Sequence, residues 1–425
     1  MHHLPFSHLP FFVLILLLLI LAKLFGEIMA RFKLPAMVGE IIAGVILGPS
    51  ILHIVSSSND MKTISDLGVF MLIILAGLEI DVEEIYNSIR GKKAWVAVMG
   101  YLIPVLLGLV TGKFFFNDIM IIIFIALCIA VTALPVSVRI LMDLGKLQSD
   151  IGRKIISTAI FNDVISLFIL GVLLDINTNV SGYRELVFML SKTLIKFMIF
   201  TGLIILNYNL FKRSKDKKSI INKKLNTLLI FLKSREPLFA IVMVFILIFA
   251  SISELLGLHF IIGAFFSAIV LNKAILGEEN YNTFYKTTSS MTFGFLAPIF
   301  FALIGVEIAV FSINNYLLLV VIIVVAFISK IGGGYIGGRM AGLDRIKSLT
   351  IGMGINGRGI MEIVIARIAL EKGFIGVELF SILVIMAIIT TVVSPVLLKK
   401  MFALSDKADH RSEILNQKKA VIPNS

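Results

Sequence analysis

Asn162 and Asp163 stand side by side within the apolar stretch Ile160-Phe-Asn-Asp-Val164. A carboxylate at the centre of a membrane helix costs about 2.5–3.5 kcal/mol on insertion scales, so it must face a wet cavity or a partner. Burial brings its charged and neutral forms close in free energy, and such a group can exchange a proton for a cation. A monovalent cation there needs oxygen ligands. Asp163, the Thr132 hydroxyl, carbonyls near Val131 and the Asn162 amide oxygen are the candidates. Competition of Na+ or K+ with H+ for one carboxylate gives antiport without a further coupling device.

Other charges lie within apolar runs. Lys330 has two readings, a permanent counter-charge to Asp163 or a second proton carrier. Arg358 and Glu362 are four residues apart and can neutralise one another on one helix face. That pair reads as structural, with Glu362 also a candidate for the ion path. Glu79 and Glu307 sit at the ends of apolar runs, where interfacial solvation accounts for them. Glu40 is more internal and is assigned no chemistry.

Two interrupted helices must position these groups. In Ala130-Val-Thr-Ala-Leu-Pro135, Pro135 lacks an N–H donor and blocks the bond to residue 131, which frees carbonyls around Val131. In Gly352-Met-Gly-Ile-Asn-Gly-Arg-Gly359, four glycines and Asn356 weaken any continuous helix. Helices broken at the midplane expose half-helix ends and unpaired carbonyls, the ingredients of an ion site.

The chain has 425 residues, of which 58% are hydrophobic and 16% charged, with a mean hydropathy of +1.00. Soluble domains carry about 45–50% apolar and about 25% charged residues, so this composition specifies an all-α polytopic membrane protein. Thirteen spans are expected, at 10–30, 36–54, 63–80, 94–112, 119–138, 155–174, 187–207, 237–256, 259–272, 292–311, 315–335, 349–370 and 378–398. Outside these spans, all but Lys62, Lys113, Arg184 and Lys372 of the Lys and Arg residues fall in one alternating set of connections. The positive-inside rule then puts the N-terminus outside and the C-terminus in the cytoplasm of a plasma-membrane protein.

Leu75-Ala-Gly-Leu-Glu-Ile80 is echoed by Leu303-Ile-Gly-Val-Glu-Ile308, and Val38-Gly-Glu-Ile-Ile-Ala-Gly44 by Ile262-Gly-Ala-Phe-Phe-Ser-Ala268. The echoes are seven spans apart, an odd number, so the expectation is an inverted-topology repeat of residues 10–174 and 237–398. Helix 187–207 and a basic cytoplasmic loop, 208–236, join the halves. Residues 1–401 then form a single membrane domain and 402–425 a short cytoplasmic tail. The single cysteine, Cys128, excludes an intramolecular disulfide, and six scattered histidines give no zinc or haem spacing. The +12 net charge lies between apolar runs, which points to membrane lipid and topology and not to nucleic acid. No nucleophile–base pair or phosphate loop suggests an enzyme, and no cofactor is expected.

Gly39-Glu-Ile-Ile-Ala-Gly-Val-Ile-Leu-Gly-Pro49, Leu75 to Ile80, Ala133-Leu-Pro-Val-Ser-Val-Arg139 through Phe161-Asn-Asp163, Pro298-Ile-Phe-Phe301 and Asn356-Gly-Arg-Gly359 resemble the second monovalent cation:proton antiporter family. The resemblance implies the sodium/proton-antiporter fold, with thirteen helices, two crossed discontinuous helices, a homodimer and an elevator-like movement of a core domain. It implies ion binding at Asp163, with Thr132 and Lys330 beside it. Asn162 stands where strongly electrogenic members carry an aspartate, and the Arg358 to Glu362 spacing looks more like the potassium-handling branch. The rival readings are a sodium-coupled organic-anion symporter and an ion-sensing receptor or channel.

Overall fold

The structure is a computed structural model that describes residues 10–32, 34–56, 58–80, 91, 94–132, 134–147, 149–175, 235–271 and 273–421, with isolated positions between 191 and 204. Helices α1 (Phe11–Arg31), α2 (Ala36–Leu47), α3 (Asn59–Leu78), α4 (Ala94–Phe115), α5 (Ile119–Ala130), α6 (Leu134–Asp143) and α7 (Asp150–Asp175) precede the basic segment. After it come α8 (Arg235–Leu255), α9 (Phe260–Val270), α10 (Glu278–Met291), α11 (Ala297–Glu307), α12 (Tyr316–Met340), α13 (Arg345–Gly354), α14 (Ile360–Glu371) and α15 (Val377–Val421). Among the described residues, eight helical stretches are long and apolar enough to cross a membrane, and α2, α5 and α9 are shorter apolar helices. The expected spans 119–138 and 349–370 are each two helices. Span 187–207 and loop 208–236 lie outside the described residues, apart from scattered positions.

The segment 273–291, read as a connection, is mostly helix, because α10 runs through a π-helical turn, Thr292–Leu296, into α11. Its sequence is polar, so hydropathy places the span's start too late, yet Glu278 and Glu279 favour a helix N-terminus.

The chain divides into two compact units. The first comprises Met1–Ala22, Ser57–Glu83 and Leu167–Leu303, and the second Lys23–Ser56, Glu84–Ser166 and Ile304–Ser425. In the first, α9 packs on α3 and α8, and α10 packs on α8 and α3. In the second, α4 packs on α5 and α12, while α12 also meets α13 and α15. Glycine lets α12 approach closely: a Cβ at Gly333 would lie 2.6 Å from the Met99 carbonyl of α4. With little hydrophobic driving force between helices in lipid, such small-residue contacts carry the association.

Four glycines from the echoed sequences make matching contacts. Gly39 is pressed on the Phe25 carbonyl of α1 and Gly263 on the Phe249 carbonyl of α8. Gly77 of α3 meets Phe265 and Ala268 of α9, and Gly305 of α11 meets Ile41 and Gly44 of α2. All four pairs lie within a unit.

Candidate cation site

Asp118 caps α5, accepting from the Met120 amide at 2.8 Å, and the apolar run ends at Ala130. Val131 turns to an extended conformation (ψ 149°), and α6 resumes at Leu134 with Pro135 in its first turn, where a missing N–H costs nothing. The second break is built likewise. Asp344 caps α13, the helix ends at Gly354, and α14 begins at Ile360 after extended Gly359. Each break leaves unpaired carbonyls at the end of a half-helix.

Those carbonyls are taken up across the breaks. Arg358, fully buried, donates from Nη1 to the Cys128 carbonyl (2.8 Å) and from Nη2 to that of Ile129 (2.7 Å). Lys330 Nζ donates to the Ala130 carbonyl and to Thr132 Oγ1 (2.6 Å). Two basic side chains therefore donate to the negative end of α5. The end of α13 receives a neutral hydroxyl instead: Ser137 Oγ donates to the Gly354 carbonyl at 3.2 Å, and Thr132 Oγ1, whose proton goes to the Asn162 amide oxygen, lies 3.3 Å from the Ile355 carbonyl. The carbonyls expected to be free around Val131 thus include three, at Cys128, Ile129 and Ala130, that already accept from basic side chains.

Helix α7 brings in Asn162 and Asp163, which are buried. The Asn162 amide is turned so that its oxygen faces donors and its nitrogen an acceptor: Oδ1 faces Thr132 Oγ1 (2.9 Å) and Lys330 Nζ (3.2 Å), and Nδ2 faces the Thr158 carbonyl (3.3 Å). Asp163 lies in electrostatic range of Lys330 and of Tyr101, a residue of α4 whose hydroxyl is 3.2 Å from Ser166 Oγ. Thr132, Asn162 and Lys330 are thus brought together, with Val131 buried next to Thr132. Arg358 pairs with Glu362 at 3.2 Å, but from the break and not from within the helix.

Sequence reasoning missed Tyr101, Ser137 and the anchoring of the second break to α15, where Thr391 Oγ1 donates to the Arg358 carbonyl (2.5 Å) and Asn356 Nδ2 to Ser394 Oγ (3.2 Å). A tyrosine in an apolar helix is a usable signal, since a buried phenol needs a partner. Glu79 and Glu307 are also more than solvated ends. Glu79 accepts from Tyr285 at 3.0 Å, and Glu307 pairs with the buried Arg367 at 2.6 Å.

Residues 6–403 match the transmembrane sodium/hydrogen exchanger family. The chain belongs to that family. Relatives of this exchanger-family chain include the Na(+)/H(+)-K(+) antiporter GerN of Bacillus cereus, 29% identical over 94% of this chain and 98% of GerN. A Na(+)/H(+) antiporter of Enterococcus hirae is 27% identical over 91% of this chain and 97% of its own length. Among solved structures, the sodium proton antiporter MjNhaP1 from Methanocaldococcus jannaschii superposes with a TM-score of 0.69 at 15% identity, covering 92% of this chain and 96% of that one. That likeness establishes the fold. As an exchanger-family member the chain is a multi-pass membrane transporter and not an enzyme, and its ions are substrates and not cofactors.

Proposed function

We propose that this chain is a secondary active antiporter exchanging Na+ or K+ for H+, with Asp163 as the shared site. The observation that carries the reading is a buried aspartate next to Asn162, whose amide joins the oxygen cluster at the break after α5, in a chain of the exchanger family. In each cycle the Asp163 carboxyl releases its proton to one side and the carboxylate takes up one cation. Thr132, Asn162 and the backbone at Val131 add oxygens in place of water. Lys330 supplies the counter-charge that keeps the cation-free carboxylate tolerable in the membrane.

Alternating access is of the elevator type, with the unit that carries both breaks moving as one body. The hydrogen bonds from Arg358 and Ser137 across the two breaks support that reading. Inverted repeats of 10–174 and 237–398 are supported by the matching glycine contacts. The protein is a plasma-membrane homodimer with its N-terminus outside and its C-terminus in the cytoplasm, an orientation that rests on the distribution of Lys and Arg.

Proton flux in proteoliposomes of the purified protein tests the proposal. With an imposed pH gradient, addition of Na+, K+ or Li+ in turn should trigger proton movement. Folded, inserted protein that moves no protons with any of the three would turn the reading toward an organic-anion symporter or an ion-sensing receptor.

A further inference from the structure

The two breaks place Thr132 and Asn356 at corresponding points. Each is the second residue after the last helical residue of its half-helix, Ala130 in α5 and Gly354 in α13. Both side chains are fully buried. The breaks touch, since Thr132 Oγ1 lies 3.3 Å from the carbonyl of Ile355, the residue before Asn356.

The orientation of the Asn356 amide is fixed by its neighbour. Ser394 Oγ gives its only proton to the Thr390 carbonyl at 2.6 Å, so towards Asn356 it can only accept, and Nδ2 is the atom that faces it at 3.2 Å. Oδ1 is thereby turned away from α15. Among the described residues it finds no hydrogen-bond donor. A buried amide oxygen without a donor is unfavourable unless water or an ion completes it. The first break shows what such a position can hold: Thr132 Oγ1 already accepts from the Lys330 amine at 2.6 Å.

We propose that Asn356 Oδ1 is a ligand of the transported cation, direct or through one water, so that the second break contributes an oxygen alongside those of the first. The assignment rests on the antiport reading given above. An amide oxygen is neutral and matches Na+ or K+ as well as it matches water, but it takes up no proton in the working pH range. Asn356 therefore bears on cation affinity and ion preference and not on the proton step. Ser394 is its positioning residue.

The test uses the full chain in proteoliposomes, with Na+, Li+ and K+ as probes, and compares Asn356→Leu, Asn356→Asp and Ser394→Ala. Asn356→Leu keeps the size and removes the oxygen, and should raise the apparent KM for the cation about tenfold and change the order of the three ions. Asn356→Asp keeps the shape and adds charge, and should lower that KM. Ser394→Ala frees the amide to rotate and should give an effect in the direction of Asn356→Leu but smaller. An apparent KM and ion order within about twofold of the unaltered protein, in whichever of the two Asn356 variants folds and inserts, overturns the assignment. Exchange by the unaltered protein is read in the same vesicles: its absence is the failure of the antiport reading, and of this assignment with it, whereas exchange with unmoved KM in the variants is the failure of this assignment alone.

Discussion

The Lys330 side chain rests on Thr132, Nζ to Oγ1 at 2.6 Å, two residues beyond the point where α5 stops being helical. Its other partners are also oxygens of the break and its surroundings: the Ala130 carbonyl, the Asn162 amide at 3.2 Å and the Gly100 carbonyl at 3.5 Å. The protein thus keeps a tethered amine on oxygens of the kind a transported cation needs.

If Lys330 keeps its proton throughout the cycle, one carboxylate exchanges one proton for one cation. Clamping the membrane potential in the flux experiment should then leave the balance of driving forces unchanged, and a shift with potential would make Lys330 the leading candidate for a second proton carrier. Lys330→Met should lower stability by about 3–5 kcal/mol, since it strips a buried cation from its partners. Thermal unfolding in detergent measures this.

Arg358 joins the two breaks through the Cys128 and Ile129 carbonyls and also pairs with Glu362. Arg358→Met should cost about 3–5 kcal/mol, because it leaves a buried carboxylate and two carbonyls without their donor. Adding Glu362→Gln removes the carboxylate's share of that loss, so the double variant should be more stable than the two single losses predict. A coupling of about 0.5–3 kcal/mol is expected from the double-mutant cycle, and additivity would mean that the pair does not act as one unit.

Adjacent glycines of α12 make a sharp pair of controls. A Cβ at Gly333 meets the Met99 carbonyl at 2.6 Å, whereas one at Gly332 meets nothing within 4 Å. Gly333→Ala should destabilise by about 1–3 kcal/mol, through forced separation of α12 from α4. Gly332→Ala should leave the unfolding midpoint unchanged. Equal effects of the two would show that close packing of α12 is not what holds Lys330 at the break.

The parts of this architecture that were legible in the sequence are those where a residue breaks the local rule. Pro135 and the glycines at 352–359 mark both helix breaks, and Asn162 and Asp163 stand out because polar groups in an apolar run need a reason. What hydropathy could not show was pairing between distant residues. Nothing in the sequence marks Arg367 as the partner of Glu307, which reads as a solvated end, because the bond that joins them spans 60 positions. The helix at 278–291 is hidden by its polarity, and in the sequence Asn356 reads only as a helix breaker. Its unpartnered oxygen becomes visible only once Ser394 has fixed the amide.

The central claim is that Asp163 carries both the proton and the cation, and Asp163→Asn tests it most directly. The substitution keeps the shape and removes the titrating group. In proteoliposomes under a pH gradient, the variant should be folded and inserted yet show no proton movement on addition of Na+, K+ or Li+. Cation-driven proton flux retained in that variant would contradict the account.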